Sequence, residues 1–157
     1  MRMEINAEKL MNRDLTALSE DELVIDALHV LYSQRLSGVP VVRDDWVLVG
    51  FLSEKDILQG AVPTYLEILA QSTFLDACEG NLLRRLCAMG EQKVKDLMTK
   101  DPVYVTPEAS LMTVADLMLR KKIKRLPVVQ DGKLVGIIDR GAFFEFIMEG
   151  DLCDAME

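Results

Sequence analysis

The stretch GVPVVRDDWVLVGFLSEKDIL, from Gly38 to Leu58, contains two short apolar runs joined by a polar turn. A second stretch, RLPVVQDGKLVGIID, runs from Arg125 to Asp139 and has the same layout. Both contain a Pro-Val-Val triplet, an acidic turn and a Val-Gly pair in the same order. Apolar runs of this length, bounded by turn residues, predict two strands joined as a hairpin in each stretch.

The similarity extends beyond these two stretches. Leu10-Met11 matches Leu97-Met98, and Val49-Gly50 matches Val135-Gly136. Matching residues lie 87 positions apart through the Pro-Val-Val triplets and 86 apart afterwards, because the first copy has one extra residue in its turn. A register held over this length indicates two structural units built from one template.

Each copy also predicts a helix before its hairpin and another after it. In the first copy, Ser19 and Glu22 have the spacing of a capping box, which predicts a helix that starts there. In the second copy, residues 103–105 predict a short strand, and Thr106 is positioned to N-cap a helix whose first residue is Pro107. The order strand, helix, strand, strand, helix therefore occurs twice, which predicts an α/β (α+β) fold.

Composition restricts the class of protein. The chain has 157 residues, 50% of them hydrophobic, and a formal net charge of −8, which favours a globular domain and disfavours a nucleic-acid partner. Cys78, Cys87 and Cys153 form no CxxC pair, so we expect neither a disulfide framework nor a zinc site. Because neither a signal peptide nor a membrane-spanning apolar run is found, we expect a cytoplasmic protein without a membrane partner.

The segment between the copies, roughly residues 60–92, is too apolar for a flexible linker. Its apolar residues have helical spacing, broken at Gly80 and Gly90, and predict one or two helices that pack on the repeats or on a partner subunit. We therefore divide the chain into a first repeat over residues 1–59, a helical inter-repeat segment over residues 60–92, and a second repeat over residues 93–157.

At this point the repeats can be compared with a known family. Residues 38–42 with 48–58, and residues 125–129 with 133–139, resemble the core of the cystathionine-β-synthase (CBS) repeat. The resemblance implies two β-α-β-β-α repeats packed sheet to sheet with pseudo-twofold symmetry, as in a Bateman module. It implies two clefts between the repeats, which in many members hold AMP, ADP, ATP or S-adenosylmethionine. It also implies a homodimer, either head-to-head or head-to-tail.

The resemblance assigns ligand-binding roles to residues of the first copy. In the family, Gly-x-x-Ser/Thr-x-x-Asp contacts ribose and phosphate, and residues 50–56 match this pattern in full. It implies that Ser53 meets a phosphate at a helix N-cap and that Asp56 accepts hydrogen bonds from the ribose hydroxyls. Ser-x-x-Asp is also close to a capping box that needs no ligand, and the two interpretations are compatible. By resemblance, the residues that flank the adenine are Thr16, Ala17, Gly38, Val39 and Pro40.

The second copy departs from this pattern. Asp139 stands at the Ser/Thr position, and Ala142 replaces the ribose-binding Asp. Asp139 can still cap a helix, but its carboxylate would repel a phosphate there, and Ala142 cannot hold a ribose. We therefore expect one competent nucleotide cleft per chain.

Basic residues concentrate in the second copy, where five of the six positions 120–125 are Lys or Arg. In related pairs, basic residues just before the second Leu-Pro reach the phosphate bound by the first repeat, which implies this role for Lys124 and Arg125. Arg140 is a further candidate. The alternative is a solvated helix end whose cations complement the helix dipole, which we expect for Lys121 and Lys122. The run is short and lacks interleaved aromatics, so we do not expect nucleic-acid binding.

The sequence thus predicts a regulatory module that binds an adenine nucleotide and transmits its ligand state to a client protein that the residues do not identify. The alternative is a ligand-independent scaffold for dimerisation or protein interaction. We expect neither an enzyme nor a catalytic cofactor, because no nucleophile–base pair, metal-ligand cluster or Walker-type loop can be read from the chain.

Overall fold

Short helices and strands alternate along the chain in the computed structural model, which describes residues 5–13, 15–62 and 79–150. The predicted fold class, α/β, is confirmed. Two compact units are found. The first-repeat unit consists of Ala17–Arg43 and Val49–Pro102, and the second-repeat unit consists of Met1–Thr16, Asp44–Leu48 and Val103–Glu157.

The elements follow the order expected for two copies of one template. In chain order, the described elements are α1 (Ala7–Leu10), β1 (Leu18–Ser19), α2 (Val24–Gln34), β2 (Gly38–Arg43), a 3-10 turn (Asp44–Trp46), β3 (Val47–Ser53), α3 (Glu54–Ala61), α4 (Glu79–Met89), α5 (Val94–Leu97), β4 (Thr99–Lys100), α6 (Leu111–Arg120), β5 (Arg125–Gln130), β6 (Lys133–Asp139) and α7 (Ala142–Gly150). The first copy supplies β1, α2, β2, β3 and α3. The second supplies α6, β5, β6 and α7, while its predicted first strand is reduced to a single parallel bridge between Val105 and Val128.

One buried cluster forms the core of the first-repeat unit. Its members recur at helical spacing on α2 and at alternate positions on β2, as side chains on one face of each element do. Val24, Val39, Val41 and Leu52 are fully buried. Burial of one such side chain contributes about 1.5–3 kcal/mol to stability. The cluster therefore fixes which face of β2 and β3 is turned away from the core.

The core of the second-repeat unit is built in the same way from α6, β5 and β6. Strands β5 and β6 form an antiparallel hairpin. Its turn, Asp131-Gly132, has φ of 54° and 81° at the two residues. Positive φ at both positions is the geometry of the tight turns that match strand twist, and glycine adopts it without strain. The Asp-Gly turn predicted from the sequence is confirmed.

Each unit is completed by the chain segment that precedes the other repeat. In the second-repeat unit, the N–H of Ala7 donates to the carbonyl of Ala109 at 2.9 Å. In the first-repeat unit, the N–H of Val94 donates to the carbonyl of Glu22 at 2.8 Å, and β4 pairs antiparallel with β3. Ala7 matches Val94 in the repeat register, and Ala109 matches Glu22. The two units therefore use equivalent backbone bonds to hold a segment that is distant in sequence.

The segment predicted to contain inter-repeat helices includes α4. Gly90 follows the last residue of α4, whereas Gly80 lies within its first turn and does not interrupt it. The apolar positions expected at 65–75 lie outside the described residues. The division into residues 1–59, 60–92 and 93–157 follows chain order and stays a prediction.

Two helix starts differ from those predicted. Helix α6 begins at Leu111 with Ser110 as its N-cap, and the Ser110 hydroxyl accepts a hydrogen bond from the N–H of Thr113 at 3.1 Å. The predicted cap, Thr106, instead lies in a turn before this helix. Helix α2 has no side-chain cap, so the capping box predicted for Ser19 is also wrong. In both copies, backbone carbonyls near the predicted helix start accept hydrogen bonds from a segment distant in sequence, residues 94–95 in the first copy and residues 7–8 in the second. These bonds hold the backbone in a turn before the helix begins.

Candidate functional site

The start of α3 carries the two polar residues singled out from the sequence. The hydroxyl of Ser53 accepts a hydrogen bond from the N–H of Asp56 at 3.1 Å. Asp56 Oδ2 in turn accepts one from the N–H of Ser53 at 3.0 Å, which completes a capping box. The capping interpretation is therefore confirmed. The two side chains are held together at the end of β3, in the position at which a ligand role was predicted.

A third residue joins this pair. The hydroxyl of Thr99 donates to Asp56 Oδ1 at 3.2 Å, so both carboxylate oxygens of Asp56 accept a hydrogen bond from the protein. Thr99 reaches this position because β4 pairs with β3. Sequence reasoning missed Thr99. The only sequence signal was its place directly after Leu97-Met98, the segment that the repeat register aligns with the N-terminal Leu10-Met11.

Gly38 and Pro40 lie on β2, on the face opposite to the buried Val39 and Val41. A Cβ added to Gly38 would lie 2.6 Å from Cε1 of Phe51 and 3.0 Å from the carbonyl oxygen of Leu52. Only glycine therefore lets the Phe51 ring approach this strand. Gly38 and Pro40 are buried and Phe51 is half-buried, so the three form a mainly apolar, largely covered patch near Ser53, whereas Val39 contributes its side chain to the core.

The predicted adenine-flanking pair is divided between the two units. Thr16 and Ala17 are both half-buried and lie in the loop before β1. Thr16 belongs to the second-repeat unit and Ala17 to the first-repeat unit. Their role in binding an adenine stays a prediction.

The three candidate phosphate ligands lie at one end of the β5–β6 hairpin. Arg125 pairs with Asp139 across the two strands, and the N–H of Arg140 donates to the carbonyl of Lys124 at 3.2 Å. Because side chains alternate between the faces of a strand, Lys124 and Arg140 are expected on the face opposite to Arg125. The hairpin therefore brings the backbone positions of these three basic residues close together but places their side chains on two opposite faces.

Arg125 is engaged by an acidic partner. Its Nε donates to Asp139 Oδ1 at 2.9 Å, and its side chain is only 10% exposed, while that of Asp139 is 54% exposed. The register of the hairpin shifts by one residue between Val128 and Val129, which is a β-bulge. Without this shift, Arg125 would lie opposite Ile138 in place of Asp139. The bulge therefore creates this ion pair.

Asp139 does not cap the helix that follows it. Helix α7 begins three residues later, at Ala142, and the carbonyl of Gly141 accepts the bonds of its first turn, from the N–H groups of Phe144 and Glu145. The carboxylate of Asp139 is instead directed to Arg125. The expectation that Asp139 can act as a cap is therefore not met, because β6 extends through this residue.

The rest of the basic run behaves as a helix end. Arg120 forms an ion pair with Asp116, one turn earlier on α6, at 2.9 Å. Lys121 is the C-cap residue of α6, and Lys122 follows with φ of 54°. Both lysines are exposed, as expected for cations that complement the C-terminal end of a helix.

One carboxyl group in the first-repeat unit has a shifted pKa. The hydrogen bond from Arg43 to Glu20, with an Nε–Oε1 distance of 2.9 Å, lowers the pKa of the Glu20 carboxyl below its usual value of 4.5. The charge of Arg43 adds to this effect. The pair links the end of β2 to the loop before α2, away from Ser53 and Asp56.

Within residues 5–13, 15–62 and 79–150, no group of His, Cys, Asp and Glu side chains could hold a metal ion. In the same residues, no helix is both long and apolar enough to cross a bilayer. Cys87, on α4, is an exposed free thiol. The described chemistry is thus that of hydroxyl, carboxylate and cationic groups.

Comparison with known proteins agrees with this architecture. Residues 7–62 and 94–149 both match the family model described as the CBS domain. An uncharacterized protein of Methanocaldococcus jannaschii, MJ1426, is 30% identical over 162 residues, which cover 94% of this chain and 96% of that protein. The chloroplastic CBS domain-containing protein CBSX1 of Arabidopsis thaliana is 36% identical over 137 residues, which cover 82% of this chain but 57% of CBSX1.

Solved structures lead to the same fold. The CBS-pair protein CBSX2 from Arabidopsis thaliana superposes with a TM-score of 0.76 at 30% identity, covering 95% of this chain and 98% of that chain. A structure of CBSX2 in complex with AMP superposes with a TM-score of 0.68 at 31% identity, covering 92% of this chain and 97% of that chain. Both structures are CBS pairs, as the internal repeat of this chain predicts.

Proposed function

The chain belongs to the CBS domain family, and we propose that it is a regulatory module that binds an adenine nucleotide. The ligand is AMP, ADP, ATP or a related adenosyl compound such as S-adenosylmethionine, and its binding state is transmitted to a partner protein. The similarity to CBSX2, which has been solved in complex with AMP, supports this class of ligand. The proposal includes no catalytic step.

The observation that carries the proposal is the pairing of Ser53 with Asp56 at the start of α3. A hydroxyl that already accepts one hydrogen bond still has a proton to donate, so Ser53 can bind a phosphate oxygen. An ionised carboxylate has about four acceptor sites, and the bonds from Ser53 and Thr99 use two of them. Asp56 can therefore accept hydrogen bonds from both ribose hydroxyls while it remains in the capping box.

The surface next to this pair suits a purine base. Gly38 and Pro40 place no long side chain on this face of β2, both are buried, and the aromatic ring of Phe51 packs against Gly38. Aromatic rings stack on bases with about 1–3 kcal/mol per base. We propose that these residues, with Val39 through its backbone and Thr16 and Ala17 before β1, flank the adenine.

The phosphate requires positive charge, which Ser53 cannot supply. We propose Lys124 and Arg140 as exposed cations that contribute to phosphate binding, together with Arg125, whose guanidinium is shared with Asp139. A cation that binds phosphate gives a charge-assisted hydrogen bond, which is roughly twice as strong as a neutral one.

A thermal-shift series tests the function. We would screen adenosine, AMP, ADP, ATP and S-adenosylmethionine against the wild-type protein, Asp56→Asn and the control Asp116→Asn. A ligand at about 100 times its Kd adds about 2.7 kcal/mol, which raises Tm by roughly 5–10 °C for a chain of this size. We expect this shift in the wild-type and Asp116→Asn proteins and its loss in Asp56→Asn. No shift with any ligand would overturn the nucleotide function.

A protein-interaction scaffold is the second candidate, and one observation favours it. Helix α7 exposes Phe144 by 71% and Met148 by 77%, and α6 exposes Met112 by 78% and Leu119 by 73%. Phe144 and Met148 lie one turn apart on α7, and Met112 and Leu119 lie two turns apart on one face of α6. Large exposed apolar side chains grouped on one face of a helix are typical of an interaction surface. We propose that a second copy of the chain covers these side chains in a homodimer. We also expect the protein to be cytoplasmic. Sedimentation velocity of the wild-type protein and Phe144→Lys tests the dimer, which the variant should dissociate.

A further inference from the structure

Thr99 contacts the carboxylate proposed to bind ribose, although it lies outside the motif that predicted that role. Its hydroxyl donates a hydrogen bond to Asp56 Oδ1 at 3.2 Å, while the N–H of Ser53 donates to Oδ2 at 3.0 Å. The two donors come from different elements, β4 and the N-cap of α3. Rotation of the carboxylate about its Cβ–Cγ bond would break both hydrogen bonds, so Asp56 is held in one orientation before any ligand binds.

The backbone of β4 fixes the position of Thr99. In the antiparallel ladder with β3, Thr99 pairs with Phe51, and the next residue pair joins Gly50 to Lys100. The preceding residue, Met98, packs over Gly50, where an added Cβ would lie 2.9 Å from Met98 Cγ. Thr99 is itself exposed, but the strand that carries it is paired on β3 and held by packing. Its hydroxyl is therefore a fixed donor toward Asp56.

The second copy keeps this backbone arrangement but lacks the side-chain pair. In the repeat register, Thr99 matches Asn12 and Asp56 matches Ala142. The N–H of Asn12 donates to the carbonyl of Ile137 at 2.8 Å, and the N–H of Ile137 donates to the carbonyl of Asn12 at 3.1 Å. The template therefore forms this backbone pairing without a hydroxyl and a carboxylate at these two positions. The bond between Thr99 and Asp56 occurs in the copy whose carboxylate is proposed to bind a ligand.

We propose that Thr99 is a positioning residue that orients Asp56 to accept both hydroxyls of a ribose. The proposal deepens the nucleotide function and rests on it for the identity of the ligand. Each carboxylate oxygen has about two acceptor sites, so one site on each oxygen remains beside the bonds from Ser53 and Thr99.

The orientation of the carboxylate matters more for a ribose than for a deoxyribose. A ribose needs the remaining site on both oxygens at once, which only one orientation of Asp56 provides. A 2′-deoxyribose has one of the two hydroxyls and can bind a rotated carboxylate. Thr99 thereby contributes to selectivity for ribonucleotides over 2′-deoxyribonucleotides.

The test measures AMP and 2′-deoxy-AMP binding by isothermal titration calorimetry and compares the ratio of the 2′-deoxy-AMP Kd to the AMP Kd. Thr99→Val keeps the carboxylate and still binds AMP, but AMP must then order the carboxylate itself. We expect the ratio to fall by about two- to fivefold, the lower part of the cost of ordering one side chain on binding. Thr99→Ala repeats the test if the valine variant fails to fold.

Two further variants separate the hydroxyl from general stability. Thr99→Ser keeps the donor and should restore the wild-type ratio. Ser110→Ala is the matched control, because it removes a hydroxyl that accepts a hydrogen bond at 3.1 Å from the cap of α6. It should keep the wild-type ratio even though its Tm is lower.

The outcomes separate this inference from the nucleotide function. A lower ratio in Thr99→Val, with the wild-type ratio in Thr99→Ser and Ser110→Ala, supports the positioning role. An unchanged ratio in Thr99→Val overturns that role and leaves the nucleotide function standing, because the bond then contributes to stability alone. An equal fall in Thr99→Ser or in Ser110→Ala also overturns it, since the hydroxyl of Thr99 is then not the cause. Binding of neither nucleotide by the wild-type protein overturns the nucleotide function and the positioning role together.

Discussion

Replacing Asp56 with alanine tests the structural and the ligand-binding roles of one side chain separately. The variant removes the acceptor for the N–H of Ser53 at 3.0 Å and the acceptor for the hydroxyl of Thr99 at 3.2 Å. It also removes an acidic residue from the first turn of α3, where the helix dipole favours negative charge. The folded protein thus loses a cap and a link between β4 and α3.

The size of the loss follows from these contacts. Removal of a capping interaction costs about 0.5–2 kcal/mol, and the partly exposed bond to Thr99 contributes at the low end of about 0.5–1.5 kcal/mol. We expect Asp56→Ala to lower the free energy of unfolding by about 1–2 kcal/mol, which lowers Tm by roughly 2–8 °C. Urea unfolding followed by circular dichroism measures this change, and an unaltered m-value would assign it to stability.

Nucleotide binding gives the second readout. We expect Asp56→Ala to lose AMP binding under conditions where it is still folded. Thr99→Val is the control, because it removes the same bond to Asp56 and keeps the carboxylate. It should lose some stability and retain AMP. If Asp56→Ala were as stable as the wild type, the capping argument would be refuted. If it bound AMP with unchanged affinity, the ribose role would be wrong.

Four further variants test stability. Gly136→Ala should lower the free energy of unfolding by about 1–3 kcal/mol, because the new Cβ would lie 2.7 Å from Cγ of Met11. Gly141→Ala, which meets no atom within 4 Å, should be nearly neutral in the same urea titration. Ser110→Ala should cost about 0.5–2 kcal/mol through loss of the α6 cap, measured as a lower Tm. Arg43→Gln should remove a pH-dependent contribution, because the lowered pKa of Glu20 means that its stabilisation is present above pH 4.5 and is lost as pH falls through the folded-state pKa. The difference in urea midpoint between the wild type and Arg43→Gln should therefore shrink on acidification from pH 7, and a constant difference would contradict this assignment.

Local patterns in the sequence predicted the parts of the fold that depend on neighbouring residues. The β5–β6 hairpin was predicted from the Asp131-Gly132 turn, whose positive φ angles only certain residue types adopt readily. The capping box of Ser53 and Asp56 was predicted from a spacing of three residues. The internal repeat predicted the family, since one template used twice leaves the same order of apolar runs and turns in both copies.

The failures of sequence reasoning share one physical cause. The predicted caps at Ser19 and Thr106 were consistent with local spacing. However, backbone carbonyls next to both residues accept hydrogen bonds from segments that are distant in sequence. The backbone there is held in a turn, and the helix begins several residues later. A tertiary contact between distant segments therefore overrode a local preference worth about 1 kcal/mol.

The sequence by itself determined the two hairpins, the polar pair at the start of α3, and the asymmetry that places Ser53 in one copy and Asp139 in the other. The tertiary structure alone decided the partners of these side chains. Thr99 lies 43 residues from Asp56 in sequence and reaches it only because β4 pairs with β3. Arg125 reaches Asp139 only because a bulge shifts the strand register by one residue. Strand register and the pairing of distant segments depend on how whole elements pack together. A shift of one residue in register replaces every cross-strand neighbour.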